Sequence, residues 1–260
     1  MNEYEIFLSR LADKEELYAE ISRKTGKCSC TDDIVDFLSN ISDDSAIRLY
    51  ISNEDIVNDE LEKITEAFKA GAESHGISIN IIVDEFVNII DSSNRITSEY
   101  KPRTVVHRDG DLHPTVHIWI IRRRDMGIYA LLQKRADCKK INPGCWDVSA
   151  AGHVTQGGEF RETAVREISE ELGLKIRPEN LEFIGTRKSE VCTGEYTDRE
   201  LNAVYLFKEK IDISSLTLQE SEVSETGWVE IDELLSVMKN SSIKNCIDQE
   251  ELFMIKKAVF

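Results

Sequence analysis

The sequence predicts an α/β fold: a mixed sheet covered by helices on both faces over residues 83–260, preceded by a small acidic α/β module over residues 1–82. Three observations lead there. From Ile77 onward, short β-rich runs alternate with turn signals, the pattern of strands joined by tight connections. Among them lies one short, strongly acidic helical segment, REISEELGL, from Arg166 to Leu174. The first 80 or so residues have a different rhythm, mixing helical and strand spacing without any run that points to chemistry.

Composition narrows the class. A chain of 260 residues with 41% hydrophobic residues can bury a full core, as one large domain or a standard domain with an additional module. No run reaches the length of a membrane-spanning helix, and no basic stretch followed by an apolar one opens the chain, so the expected compartment is the cytosol. A net charge of −17 excludes a general affinity for nucleic acid or anionic membranes, because a polyanion gains nothing by meeting another. Of the six cysteines, Cys28 and Cys30 form a lone Cys-x-Cys and Cys138, Cys145, Cys192 and Cys246 are scattered. That spacing suits neither a zinc site nor a disulfide framework, so reduced, structural thiols are expected.

In chain order, Ile6, Leu8, Leu11, Leu17 and Ile21 have the spacing of a helix over Tyr4 to Lys24. Thr31 or Asp32 would cap a second helix through Phe37 and Leu38, Ala46 to Ser52 reads as a strand, and Asn53 would cap a longer helix stopping near Gly76. ISINIIV closes this module; Phe86 to Asp91 and the SSNRIT turn enter the next. Val116 to Ile121 and Ile128 to Arg135 read as paired strands, Leu201 to Phe207 as another, and Trp228 to Ile231 as a strand before a helix starting near Asp232.

The acidic segment carries the chemistry. Residues three and four apart share a helix face, so Glu167 has Glu170 and Glu171 as near neighbours. Such a concentration of like charge calls for a cation, and oxygen-only carboxylate sites suit Mg²⁺ or Mn²⁺. The plain alternative is a solvated acidic face. Upstream, Gly152, Gly157 and Gly158 flank HVTQ and feed the helix through Glu159, a glycine-rich turn that lets backbone come close to a metal or phosphate.

The segment from Gly152 to Leu174, GHVTQGGEFRETAVREISEELGL, closely resembles the Nudix box, the loop–helix–loop signature of enzymes that hydrolyse diphosphates linked to another moiety. Arg166, Glu167, Ile168, Glu170, Glu171, Gly173 and Leu174 fit its second half at every defined position. One departure stands out: the family glutamate is replaced by Gly158, and Glu159 comes one residue late, a rotation of about 100° on a helix. The resemblance implies an α/β/α sandwich, a metal held by Glu167, Glu170, Glu171 and the Gly152 carbonyl, and an Arg166 that orients Glu167. The general base would be Glu167 or, on a later loop, Glu222. The partner would be a small phosphorylated substrate.

VHRDGDLHPTVHIWI, CWDVSAAGH and RELNAVYLF further resemble the branch related to type I isopentenyl-diphosphate isomerase. That likeness would bring His107, His113, His153 and Glu200 together as a second metal set, with Asp198 beside them. The plain alternative is that His107 and His113 hydrogen-bond within a polar loop and that His117 is packed beside Trp119. In the isomerases a cysteine stands two residues before the box histidine; here that residue is Ala151, which has no proton to move, and this points to hydrolysis. Arg103, Arg108, Lys134, Arg135, Arg187 and Lys188 are expected as phosphate contacts or as solvated surface, and Arg122 to Arg124 as a solvated turn. The N-terminal module reads equally as a dimerisation element giving a homodimer, a lid, or a partner-binding domain. An isomerase and a non-catalytic binding module are the alternatives to a hydrolase.

Overall fold

The computed structural model describes residues 2–10, 17–23, 26–28, 45–52, 58–125, 127–194, 196–239 and 243–259. The expected helix caps at Thr31 or Asp32 and at Asn53, and Cys30, lie outside the described residues. The chain divides into two compact units, residues 1–88 with 97–109, and residues 89–96 with 110–260.

The first unit is a five-stranded sheet in the order β3-β2-β1-β4-β5, with β1 Asn2–Arg10, β2 Leu17–Arg23, β3 Gly26–Cys28, β4 Ser45–Ser52 and β5 Ser78–Asp84. The helix expected over Tyr4 to Lys24 is a correction: β1 and β2 pair antiparallel there, from Tyr4 opposite Arg23 to Arg10 opposite Leu17. Ile6 and Phe7 explain it, because neighbours that are both buried belong to a strand covered on both faces, which leaves no alternation to read. Helix α1, Asn58–Ser74, makes the crossover between the parallel strands β4 and β5, and Gly76 ends it with φ of 66°. Asp84 then holds the start of α2, Arg103–Asp109, by accepting from Thr104 N (3.0 Å) and Thr104 Oγ1 (2.6 Å). Strands β6, Phe86–Ile90, and β7, Ile96–Pro102, pair around a turn that Asp91 organises through Ser93 N and Arg95 N.

The second unit is built on a mixed seven-stranded sheet. Its main order is β10-β9-β8-β13-β12, with β8 Leu112–Arg124, β9 Gly127–Arg135, β10 Trp146–Asp147, β12 Leu181–Thr193 and β13 Tyr196–Phe207; β11 Ala150–His153 pairs with β8, and β14 Val223–Glu230 with β9. Strand β13 runs parallel to β8, whereas β9 and β11 are antiparallel to it, and the last two share its length: β11 takes residues 115–118 and β9 takes 121–124. The sheet splits between them. Ser149, fully buried, closes the split: its hydroxyl accepts from Ile120 N (2.7 Å) and donates to Leu131 O (2.5 Å), restoring bonds the ladder has lost.

Helix α3, Phe160–Leu172, packs Ala164, Ile168 and Leu172 on the face carrying Val116, Ile118, Ile120 and Leu131. Helices α4, Ile231–Lys239, and α5, Gln249–Val259, cover the opposite face, where Trp119, Ile121, Ala130, Leu132, Val204 and Leu206 lie. This is the expected α/β/α sandwich with a mixed sheet. Gly173, at φ 69°, ends α3 with Gly173 N to Ser169 O and Leu174 N to Ile168 O, so the glycine is needed for its left-handed backbone.

Candidate active site

The split in the sheet frees the stretch leading into α3. Successive residues of a strand point to opposite faces, so Gly152 turns toward α3 while His153 turns to the other side. A Cβ added at Gly152 would lie 2.1 Å from both Cδ and Oε1 of Glu167, so only glycine lets that side chain lie across the strand. Arg166 clamps the pair: its Nη2 is 2.8 Å from Glu167 Oε1 and 3.4 Å from His153 O, and its Nη1 donates to Glu170 Oε2 at 3.0 Å. Arg166 is thus paired with both Glu167 and Glu170.

Glu167 and Glu171 are buried on the flank of the apolar stripe of α3, while Glu170 is half exposed on Arg166. Glu171 Oε2 accepts from Ala151 N and from Gln133 Nε2, each at 3.2 Å. Burial, and then the neighbouring Glu167 charge, push its carboxyl well above the usual range against those two neutral donors. Two buried carboxylates that resist sharing their negative charge are what a hard divalent cation relieves. The oxygen-only donor set fits Mg²⁺ or Mn²⁺. In this arrangement the α3 carboxylates are not all within 4.8 Å of one another; among the described residues of this unit, the group that meets that limit is His113, Asp198 and Glu200.

That second cluster follows from strand register, since β13 sets Glu200 beside His113 and Asn202 beside Thr115. His113 Nε2 lies 3.5 Å from Asp198 Oδ1, and its ring stacks on His153 with centroids 5.3 Å apart. Glu200 accepts from Asn202 Nδ2 (2.7 Å) and Ser189 Oγ (3.2 Å). His107 sits buried on α2, in the first unit. Glu222, just before β14, is paired with Lys139.

The expectations for His117 and Arg187 need correction. His117 is not merely packed: its Nδ1 is 2.8 Å from Glu251 Oε1, and Glu251 also accepts from Trp119 Nε1 (2.8 Å) and Arg187 Nε (3.0 Å). Burial alone would lower the His117 pKa, but the Glu251 carboxylate overrides it and raises it to about 9. Burial likewise opposes charge on Glu251, yet His117, Trp119 and Arg187 hold it down at about 2. Arg187 is thereby a structural cation, bonded also to Asp248 at 3.0 Å. Arg135 pairs with Asp147, Lys134 with Glu225, Arg103 with Glu85 and Arg108 with Glu5 and Asp109. Arg122 to Arg124 are exposed as expected but end β8 rather than form the turn, and Arg122 lies over the Trp228 ring, 4.0 Å from its centroid. Gln133, Glu251, Asn202 and Ser149 escaped the sequence reading, because the spacing of each is that of an ordinary strand, loop or amphipathic helix and its partner is far along the chain.

With the geometry in place, likeness to known proteins is informative. The model of the NUDIX domain matches residues 111–249, more than half of the 260. An uncharacterised Nudix hydrolase of Clostridium acetobutylicum is 39% identical over 157 residues, 60% of this chain and 75% of its own. Nudix hydrolase 3 of Arabidopsis thaliana is 38% identical over 156 residues, 58% of this chain and 20% of the plant protein. An isopentenyl-diphosphate Delta-isomerase of Cutibacterium acnes is 26% identical over 175 residues, 64% of this chain and 85% of its own. A solved structure from Deinococcus radiodurans superposes with a TM-score of 0.49 at 19% identity, covering 65% of this chain and 96% of that one. The chain belongs to the Nudix family, in the branch that also contains the isomerases. As an enzyme it is a diphosphate-bond hydrolase. Among the described residues, no helix is long and apolar enough to cross a membrane.

Proposed function

We propose that this protein hydrolyses the diphosphate linkage of a nucleoside diphosphate derivative or another small organic diphosphate, with Mg²⁺ or Mn²⁺ held by Glu167, Glu171, Glu170 and the Gly152 carbonyl. The observation that carries the reading is Glu167 laid over Gly152, clamped by Arg166 and set against the buried Glu171. When bound, the cation would lower the pKa of a coordinated water and offset charge on the phosphoryl oxygens. Arg166 holds Glu167 in orientation through its ion pair. Glu170, half exposed and bonded to Arg166, is the third carboxylate of the proposed set. The proton of the attacking water passes to Glu167 or to Glu222, whose partner Lys139 would need to release it. Ala151 has only a methyl group where the isomerases carry a cysteine, so allylic proton transfer is disfavoured.

Mg²⁺-dependent phosphate release over a panel of nucleotide sugars, dinucleotides, nucleoside triphosphates and prenyl diphosphates tests this. Release that Glu167→Gln abolishes supports the reading; allylic isomer without phosphate supports an isomerase, and ligand affinity without turnover a binding module. A second metal position at His113, His153 and Glu200, with His107 assigned by the resemblance, belongs to the same proposal. A metal titration of His153→Ala decides it, since unchanged stoichiometry and activity would remove it. We take residues 1–82 as an accessory module, a homodimer contact, lid or partner domain, and residues 83–260 as the hydrolase domain, acting in the cytosol on a phosphorylated small molecule and on neither nucleic acid nor membrane. Deleting the first 81 residues and comparing oligomeric state and activity tests that division.

A further inference from the structure

We propose that Gln133 is a positioning residue for Glu171, fixing which carboxylate oxygen is presented to the cation; this deepens, and rests on, the metal-dependent reading above. Past Ser149 the sheet has separated: β9 continues with β10, where Gln133 is opposite Asp147, and β11 continues with β8. Ala151 N points into the gap, away from β8, and Gln133 reaches into it from β9. Both donate to the same atom, Glu171 Oε2, at 3.2 Å. One oxygen of Glu171 is thereby committed to bridging the split sheet, and Oε1 is the one left to ligate.

Stability alone does not account for a glutamine here. Gln133 is 2% exposed, beside Leu131 and Leu132, and its Oε1 is buried without a hydrogen-bond partner among the described residues. A buried acceptor left unsatisfied costs about 1–3 kcal/mol, and an apolar side chain of similar size would avoid it. What the carboxamide adds is a neutral donor that turns the Glu171 carboxylate without supplying the positive charge a metal would have to displace. Lysine or arginine would do the reverse.

The test is Mn²⁺ binding to the metal-free protein, followed by electron paramagnetic resonance, with thermal unfolding measured alongside. Gln133→Leu, and Gln133→Met as an unbranched match in length, should weaken Mn²⁺ affinity by about 10-fold, as loss of a ligand's supporting bond commonly does. Their midpoints should be equal to or above that of the parent, a sign opposite to that of a residue present for stability. In a Glu171→Gln background either change should add no further loss, because Gln133 acts through Glu171. Unchanged affinity in both variants, or a further 10-fold loss in that background, overturns the assignment. A parent protein that binds no Mn²⁺ overturns the metal-dependent reading itself, so the two failures are told apart.

Discussion

Glu171 and Glu251 are both carboxylates buried in the second unit, on opposite faces of one sheet, and their environments push them in opposite directions. Glu251, 1% exposed, meets an imidazole, an indole N–H and a guanidinium, and its pKa falls to about 2. Glu171, 6% exposed, meets a backbone amide, a carboxamide and another carboxylate, and its pKa rises well above the usual range. Burial is common to both; the difference is whether the protein supplies the countercharge. A buried acid that is fully paired holds elements together, here β8, β12 and α5. One left short of positive charge keeps its capacity for an exogenous cation.

The largest expected effect that would break this contrast is on Glu251. Glu251→Ala leaves the buried Arg187 with Asp248 as its remaining acidic partner, removes the carboxylate that keeps His117 charged, and should destabilise the second unit by about 3–5 kcal/mol. Chemical denaturation showing a loss below 1 kcal/mol would mean the network is not structural. Gly152→Ala comes next: its methyl displaces Glu167, and misplacement by about 1 Å commonly costs about 10²-fold in rate. Phosphate release should fall by that order while the denaturation midpoint moves little, and near-parental turnover would detach Glu167 from the chemistry. Glu171→Gln should do the opposite of Glu251→Ala, raising the thermal midpoint by about 2–4 °C for each ~1 kcal/mol gained, while abolishing Mn²⁺-dependent hydrolysis. A lowered midpoint there would place Glu171 in the structural class.

The smallest effect is a slope with pH. His117, raised from 6.5 to about 9, contributes stability that is complete below pH 6.5 and is lost as pH climbs through 9. Glu171, raised above 4.5, penalises the fold increasingly as pH rises above that value, since the unfolded chain loses the proton first. Glu251 contributes stability present above pH 4.5 and lost as pH falls through 2. Unfolding free energy should therefore decline from pH 5 to pH 9, and Glu171→Gln should flatten the acidic part of that decline. A rising profile over this range would contradict both assignments.

The reading of Arg166 to Leu174 as one acidic helix survives in α3, because a short amphipathic helix carries its periodicity in adjacent residues. Gly152 and Arg166 were legible for the same reason, as parts of one contiguous signature. The error over Tyr4 to Lys24 has the converse cause: β1 is buried on both faces, and its apolar residues mimic helical spacing. The cations expected to meet phosphate were legible as charges but not as partners, and Arg187 is the clearest case, committed to Glu251 some 64 positions away.

What the amino-acid order determined unaided is the local chemistry: a glycine entry, an arginine and three glutamates at helical spacing, an alanine where a proton carrier would stand. Which carboxylates are buried, which keep a countercharge, and where the sheet divides were decided only by the tertiary structure. The physical reason is that desolvation and pairing depend on groups such as Gln133, His117 and Glu251, which become neighbours only when distant strands and helices close on one another.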